Sequence, residues 1–249
     1  MHFKFHVPTQ QYGFLEIEGD QLKEMEKIYN RYAETPLNFN KGKYLEVKTF
    51  TDEIVRYNDL THKYTDINGN ILLSGSQYSK QIKPPFYKAK ILPMVSKKHN
   101  VPEKDIDNMW RANSKLSVTF GNAIHYAMEN WFTHKSHGTE KNYHLPKHPF
   151  LANVVDSFPD KDEEILPEVV VSDIKNRMVG RVDGLMEDFT PIDYKSDSDI
   201  KKNLKYHFQQ LSFYATMLIN HGHKVDKVIV WNYVDKWFKH ESKVLPINI

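Results

Sequence analysis

From Ile165 onward the hydrophobic pattern changes period, and this change limits the fold more than any other feature of the chain. The segments ILPEVVVSD (165–173), RMVGRVDGLME (177–187) and TPIDYKS (190–196) follow one another as strand-like stretches, the last two separated by a short polar turn. After Asp199, at an N-cap position, Ile200, Leu204, Phe208, Leu211, Ala215 and Leu218 recur at helical spacing as far as about Asn220. An HGHK loop, the apolar KVIVWNYV and a further strand in ESKVLPI complete the run. Upstream, Pro102 opens a helical stretch that carries on through Leu116 to Trp131, with Leu116, Phe120, Ala123, Ala127 and Trp131 as its apolar stripe. The order helix, three strands, helix, strand predicts an α/β fold with a central mixed sheet flanked by helices.

The first hundred residues read as an α+β extension with an accessory or DNA-gating role, and residues 101–249 as the core. Residues 1–18 alternate weakly, as a strand or hairpin would; Asp20 then caps a helical pattern that ends at Pro36. Residues 44–56 fit a strand or a short helix. Asn68-Gly69-Asn70 between His62-Lys63-Tyr64 and Ile71-Leu72-Leu73 is a hairpin signal, because Asn-Gly accepts positive φ at little cost. Lys80 to Lys98, interrupted by Pro84, Pro85 and Pro93, reads as an irregular or short-helical basic region, and His134 to His148 as a loop.

Composition removes several function classes. With no cysteine there are no disulfides, thiolate zinc sites or iron–sulfur clusters. Lys plus Arg at 34 against Asp plus Glu at 32 is nearly neutral, so nucleic-acid contact must come from local patches. No apolar run is long enough to span a membrane and the N-terminus lacks a signal core, which predicts a cytoplasmic protein.

Strand alternation puts Asp193 and Lys195 on one face of their strand and Ile192 and Tyr194 on the other. Folding 177–187 onto 190–196 about Asp188 sets Asp183 opposite Asp193 and Arg181 opposite Lys195. Two carboxylates at roughly 5 Å need a cation between them, or one must keep its proton. A hard divalent ion such as magnesium suits oxygen donors, polarises a phosphoryl oxygen and activates water. Lys195 beside it is placed to orient or help deprotonate that water and to stabilise charge on a phosphate. Alone, an Asp-x-Lys triplet is more often an ordinary cross-strand pair. On the upstream helix Gly121, His125 and Glu129 are spaced four apart and stack on a face separate from the apolar stripe.

Four short motifs occur in order: Gly121 to His125, Gly180 to Asp183, Asp193 to Lys195, and Gln210 to Tyr214. Together they resemble the PD-(D/E)XK nuclease superfamily, in particular the RecB-type nuclease domain and stand-alone phage exonucleases, over roughly residues 105–235. The resemblance implies a restriction-endonuclease-like core. It implies that His125, Asp183, Asp193 and the Tyr194 carbonyl ligate Mg2+, with Mn2+ as a substitute, and that Glu168 adds a further acidic ligand. Lys195, Asp193 and Asp183 would be catalytic. Gln210, Tyr214, Ser196 and His207, with Asn203 on the same helix face, would contact DNA or position Lys195. The implied activity is a metal-dependent DNA exonuclease acting on ends or single strands, with phage recombination, replication or repair proteins as partners and the host cytoplasm as its place. A structure-specific endonuclease or resolvase of the same fold, and a non-catalytic DNA-binding module, are the alternatives.

Overall fold

Two turns organise the N-terminal half. In the computed structural model, which describes residues 4–7, 15–18, 44–58, 60–138 and 149–247, β1 (Lys4–Val7) and β2 (Leu15–Glu18) pair antiparallel as a two-stranded sheet of their own. The helix read from Asp20 to Pro36 falls outside the described residues. Residues 44–56 form no helix: β3 (Tyr44–Lys48) turns through Thr49–Glu53 into β4 (Ile54–Asn58), with Asp52 at φ 60. The Asn-Gly hairpin joins β5 (Lys63–Thr65) to β6 (Ile71–Ser74) as expected. Gly69 adopts φ 86, and the Asp66 carboxylate accepts from the Asn68 and Asn70 amides at 2.9 and 2.8 Å. That Asx geometry fixes the turn and therefore the register.

In the basic stretch the short-helical of the two readings is what forms. Ser74 and Gln77 form a reciprocal capping box at the start of α1 (Gly75–Ile82), which satisfies two amide donors at once. Pro84 and Pro85 separate α1 from α2 (Lys88–His99), and α2 continues through Pro93. The third helix, α3 (Glu103–Ser136), is 34 residues long. It takes in His134, so the loop expected from that residue begins later. The short helix α4 (Pro149–Asp156) was not foreseen; its eight residues are too few to display a period.

The C-terminal half forms as its periodicity predicts: β7 (Ile165–Asp173), β8 (Met178–Met186), β9 (Pro191–Lys195), α5 (Ile200–Asn220) and β10 (Lys227–Tyr233). The last strand, β11 (Trp237–Lys243), begins earlier than ESKVLPI suggests. Asp199 holds the N-cap position of α5, but its side chain makes no cap and pairs instead with Lys202.

Strands β3 to β11 make one nine-stranded mixed sheet, in the order β11-β10-β9-β8-β6-β5-β4-β3 with β7 also on β8. A boundary at residue 100 therefore does not divide the fold, because β6 pairs in parallel with β8. Strand β8 is shared along one edge. Its start pairs with β6 (Leu73↔Met178, Ser74↔Val179) and its end with β9 (Gly184↔Ile192, Leu185↔Pro191). Between those pairs, Gly180 to Asp183 lie in a fork, with β7 pairing Gly180, Arg181 and Val182 on the opposite edge.

Two cores hold the fork open. On one face α3 and α4 pack Phe120, Ile124, Met128, Phe132, Leu151 and Val155 against Ile192, Tyr194, Ile229 and Trp231. On the other, α5 and α1 cover Val182, Leu185, Val228 and Val230. Each fully buried large side chain contributes about 1.5–3 kcal/mol, so the two layers fix the strand faces firmly. A polar clasp ties the β3–β4 turn to β7: Thr49 Oγ1 lies 2.9 Å from Ser172 Oγ, Ser172 Oγ donates to Glu53 Oε2 at 2.7 Å, and the Phe50 amide donates to the Val170 carbonyl at 2.7 Å. This clasp curls β3–β6 round towards β7 and makes them the far wall of a cavity at the fork.

Candidate active site

The fork explains where the acidic residues go. In β9 the Tyr194 ring packs edge-on against Phe158 and Trp237, both with centroids 5.9 Å away, on the α3 side of the sheet. Alternation then turns Asp193 and Lys195 towards α5. In β8, Val182 packs on the α5 side, and Asp183 points towards α3. The expected register holds, since Gly184↔Ile192 extrapolates to Asp183 against Asp193. The ladder stops one pair short of them, however, and the two carboxylates turn to opposite sides. The face-to-face arrangement expected from alternation is therefore not what forms.

Asp183 instead joins His125 and Glu168. His125 Nδ1 of α3 lies 3.4 Å from Asp183 Oδ2, and the Tyr194 amide donates to the same oxygen at 3.0 Å. Glu168 sits on β7 in the slot between Pro167↔Gly184 and Val169↔Val182, directly across from Asp183. Its backbone is left-handed at φ 52, which is costly for a residue with a Cβ and is characteristic of strained functional positions. One ligand atom from each of His125, Glu168 and Asp183 lies within 4.8 Å of the others. The Tyr194 carbonyl lies beside this trio: it accepts from Lys195 Nζ at 3.2 Å and favours a proton on the His125 ring.

Asp193 stands apart from this trio. Its carboxylate pairs closely with Lys195 Nζ, while Oδ2 is buried without a hydrogen bond, 3.8 Å from the equally unpartnered Nδ1 of His207. Burial raises the Asp193 pKa against the pull of Lys195, and Asp183 raises it further. Burial works against the Lys195 ammonium, but Asp193 and Asp183 outweigh it and hold its pKa above the usual value. Lys195 is thus a cation, suited to stabilising charge more than to taking a proton. Burial pushes both His125 and His207 down to about 4, so both rings are neutral at physiological pH. Neutral imidazole is the form that ligates metals.

A cavity of about 680 Å³ opens onto His125, Glu168 and Asp183. Asn122, His125, Tyr126 and Glu129 form the α3 wall; Tyr57, His62, Tyr64 and Ser74 form the opposite one. The Tyr57 and Tyr64 rings meet at a tilt of 36° with centroids 4.6 Å apart, and the Tyr57 hydroxyl lies 2.8 Å from His62 Nδ1. On the floor, Arg181 Nε donates to Glu168 Oε2 at 2.7 Å. Burial, with Asp183 and Glu129 beside it, outweighs that guanidinium and pushes Glu168 up to about 8.

The sequence sets Glu129 on the His125 face of its helix without assigning it a role, and assigns none to the tyrosine wall. For Glu129 the signal was there, in its position one turn beyond His125. For Tyr57 and Tyr64 there was none, because only the curl of the sheet brings them to the site.

The residues expected to touch DNA separate into two groups. Gln210 is half-buried and lines the cavity. His207 is buried behind Asp193, while Tyr214, also buried, lines the cavity beside Gln210 as a packing wedge. Its ring fills the space where a Cβ on Gly75 or Gly180 would sit, at 2.3 and 2.2 Å, and its hydroxyl accepts from Gln210 Nε2 at 3.0 Å. Asn203 is bound to Asp197 at 2.6 Å. Ser196 lies under α3, its Oγ 3.3 Å from where a Cβ on Gly121 would be; the glycine of that helix thus admits a side chain, not a backbone.

No family model, no curated protein and no solved structure matches the chain. Among the described residues no helix is long and apolar enough to cross a membrane.

Proposed function

We propose that the chain is a divalent-metal-dependent nuclease of the PD-(D/E)XK kind, hydrolysing phosphodiester bonds in DNA with a preference for ends or single strands. The observation that carries this reading is the convergence of His125, Glu168 and Asp183 at the strand fork, with Lys195 on the adjoining strand. Two carboxylates, an imidazole and the Tyr194 carbonyl are a donor set for a hard divalent ion such as Mg2+ or Mn2+. Such an ion, when bound, polarises the phosphoryl oxygen and makes water a nucleophile at neutral pH.

The remaining work falls to the protein's own groups. Lys195, held protonated by Asp193, offers its ammonium to the charge that grows on the phosphate. Asp193 fixes the direction of that ammonium, and His207 fills the space behind it. Arg181 holds Glu168 in place. Tyr57 and Tyr64 offer aromatic surface to unpaired bases in the cavity.

Incubation with end-labelled DNA tests the reading. Linear strands should be degraded in Mg2+ and persist in chelator, while a covalently closed single-stranded circle survives. Cleavage of the circle supports the endonuclease alternative, and binding without cleavage in either metal supports the non-catalytic one.

Glu168 adds a pH signature. Its pKa lies near 8 in the folded chain against an ordinary 4.5, so the folded protein keeps a proton there that the unfolded chain has shed. Without metal, that residue makes stability fall as pH rises from 4.5 towards 8. A cation must expel the proton, so Mn2+ affinity should rise about tenfold per pH unit up to pH ~8 and then level off. Mn2+ titrations from pH 6 to pH 9 check this, and Glu168→Gln should flatten the profile while weakening binding.

A further inference from the structure

We propose that residues 75–102, from α1 through α2, form a track for single-stranded polynucleotide leading out of the cavity at the strand fork. The proposal rests on the nuclease reading of that cavity. It starts from charge. The segment holds Lys80, Lys83, Lys88, Lys90, Lys97 and Lys98 and not one aspartate or glutamate. It takes six of the chain's 34 basic residues and none of its 32 acidic ones, which leaves the remainder with an acidic excess. In a nearly neutral protein this is the place where a polyanion is attracted.

Geometry ties the segment to the site. Ser74, Gly75 and Ser76, at the start of α1, line the cavity. The eight residues of α1 cover about 12 Å. Helix α1 packs against α5, and Lys83 at its far end opposes protonation of the His207 ring on that helix. The chain then passes Phe86 and Tyr87, both 65% exposed, before entering α2. Helix α2 buries none of its residues. It lies against α3, where Lys88 pairs with Asp107 and Phe86 meets the edge of Trp110 at 5.7 Å. Lys88 thus anchors the arm, while Lys80, Lys90, Lys97 and Lys98 remain exposed along it.

The occupant follows from this combination. Lysines alone would suit any polyanion. Exposed aromatic rings among them suit bases that are unstacked and unpaired, because a ring can stack on a free base and not on one inside a duplex. The order of groups away from the fork is cavity, Lys83, Phe86 and Tyr87, then the lysines of α2.

The test uses the full chain in chelator, where no cleavage is expected, with a fluorescent 20-nucleotide oligothymidine and its duplex as probes. Tyr87→Ala alone, and with Phe86→Ala, should weaken binding of the single strand by about tenfold and leave the duplex unchanged. Changing Lys80, Lys90, Lys97 and Lys98 to Gln should lower the slope of log K against log salt by about 3, from roughly 0.7 per phosphate on a single strand. All these side chains are exposed, so melting temperatures should stay at the wild-type value. Hydrolysis of a mononucleotide nitrophenyl ester, too short to reach the track, should be unaffected in every variant. Unchanged affinity and salt slope in the variants would overturn the track, as would equal losses on duplex. If wild type binds oligothymidine through these residues yet hydrolyses neither DNA nor the ester in Mg2+ or Mn2+, the track stands and the nuclease reading fails.

Discussion

Replacing Lys195 with alanine is expected to slow DNA cleavage by about a hundred- to a thousandfold while DNA binding persists, the usual consequence of removing one placed donor from developing charge. The same change leaves the Asp193 carboxylate buried without its partner. Breaking a buried pair from one side costs about 3–5 kcal/mol of stability, so a folding defect must be told apart from a chemical one. A companion variant does so. Asp193→Asn with Lys195→Met replaces the pair by uncharged groups of similar size, and should recover most of the lost stability and none of the activity. Recovery of cleavage in the companion would remove Lys195 from the chemistry.

The second large effect is expected at a residue that touches no substrate. Gly180→Ala puts a methyl group 2.2 Å from Cε1 of Tyr214, a buried ring whose same atom lies 2.3 Å from where a Cβ on Gly75 would be. Overpacking of this kind costs about 1–3 kcal/mol, and for a domain of this size the melting temperature falls about 2–4 °C for each kcal/mol. Activity should fall as well. Gly180 precedes Asp183 by three residues on the same strand, and a shift of about 1 Å in a catalytic group can cost a hundredfold. Removing the ring makes the test specific: Tyr214→Leu in the Gly180→Ala background should raise the melting temperature above that of Gly180→Ala alone. In most strands alanine is no worse than glycine, so a fall here, relieved by Tyr214→Leu, identifies the wedge as the reason for the glycine.

These two cases show what periodicity conveys and where it stops. Strand alternation assigned Tyr194 to the core and Asp193 with Lys195 to the other face, and the structure agrees because local pleating alone decides it. The register of β8 on β9 also follows from the turn between them. That the ladder ends at Gly184 does not: it depends on β6, over a hundred residues upstream, taking the other half of the same edge. For the same reason residues 44–74 looked like an appendage, though they supply four strands of the sheet and a wall of the cavity. Helical spacing correctly set His125 and Glu129 off the apolar stripe of α3. On α5 it grouped His207 and Tyr214 with Gln210, but spacing gives direction and not depth, and both residues are buried. Glu168 carried no signal beyond its position on a strand; its place opposite Asp183 rests on a β7–β8 pairing, and its positive φ on tertiary packing.

The central claim is that one divalent ion, held by His125, Glu168 and Asp183, is the ion that cleavage requires. Titrating Mn2+ into wild type and Asp183→Asn, with cleavage of linear DNA followed at each step, tests it most directly. Cleavage by wild type should rise in proportion to occupancy of a single site, and Asp183→Asn should lose both the site and the cleavage. Equal Mn2+ binding by the two proteins, or cleavage by Asp183→Asn at the wild-type rate, would contradict it.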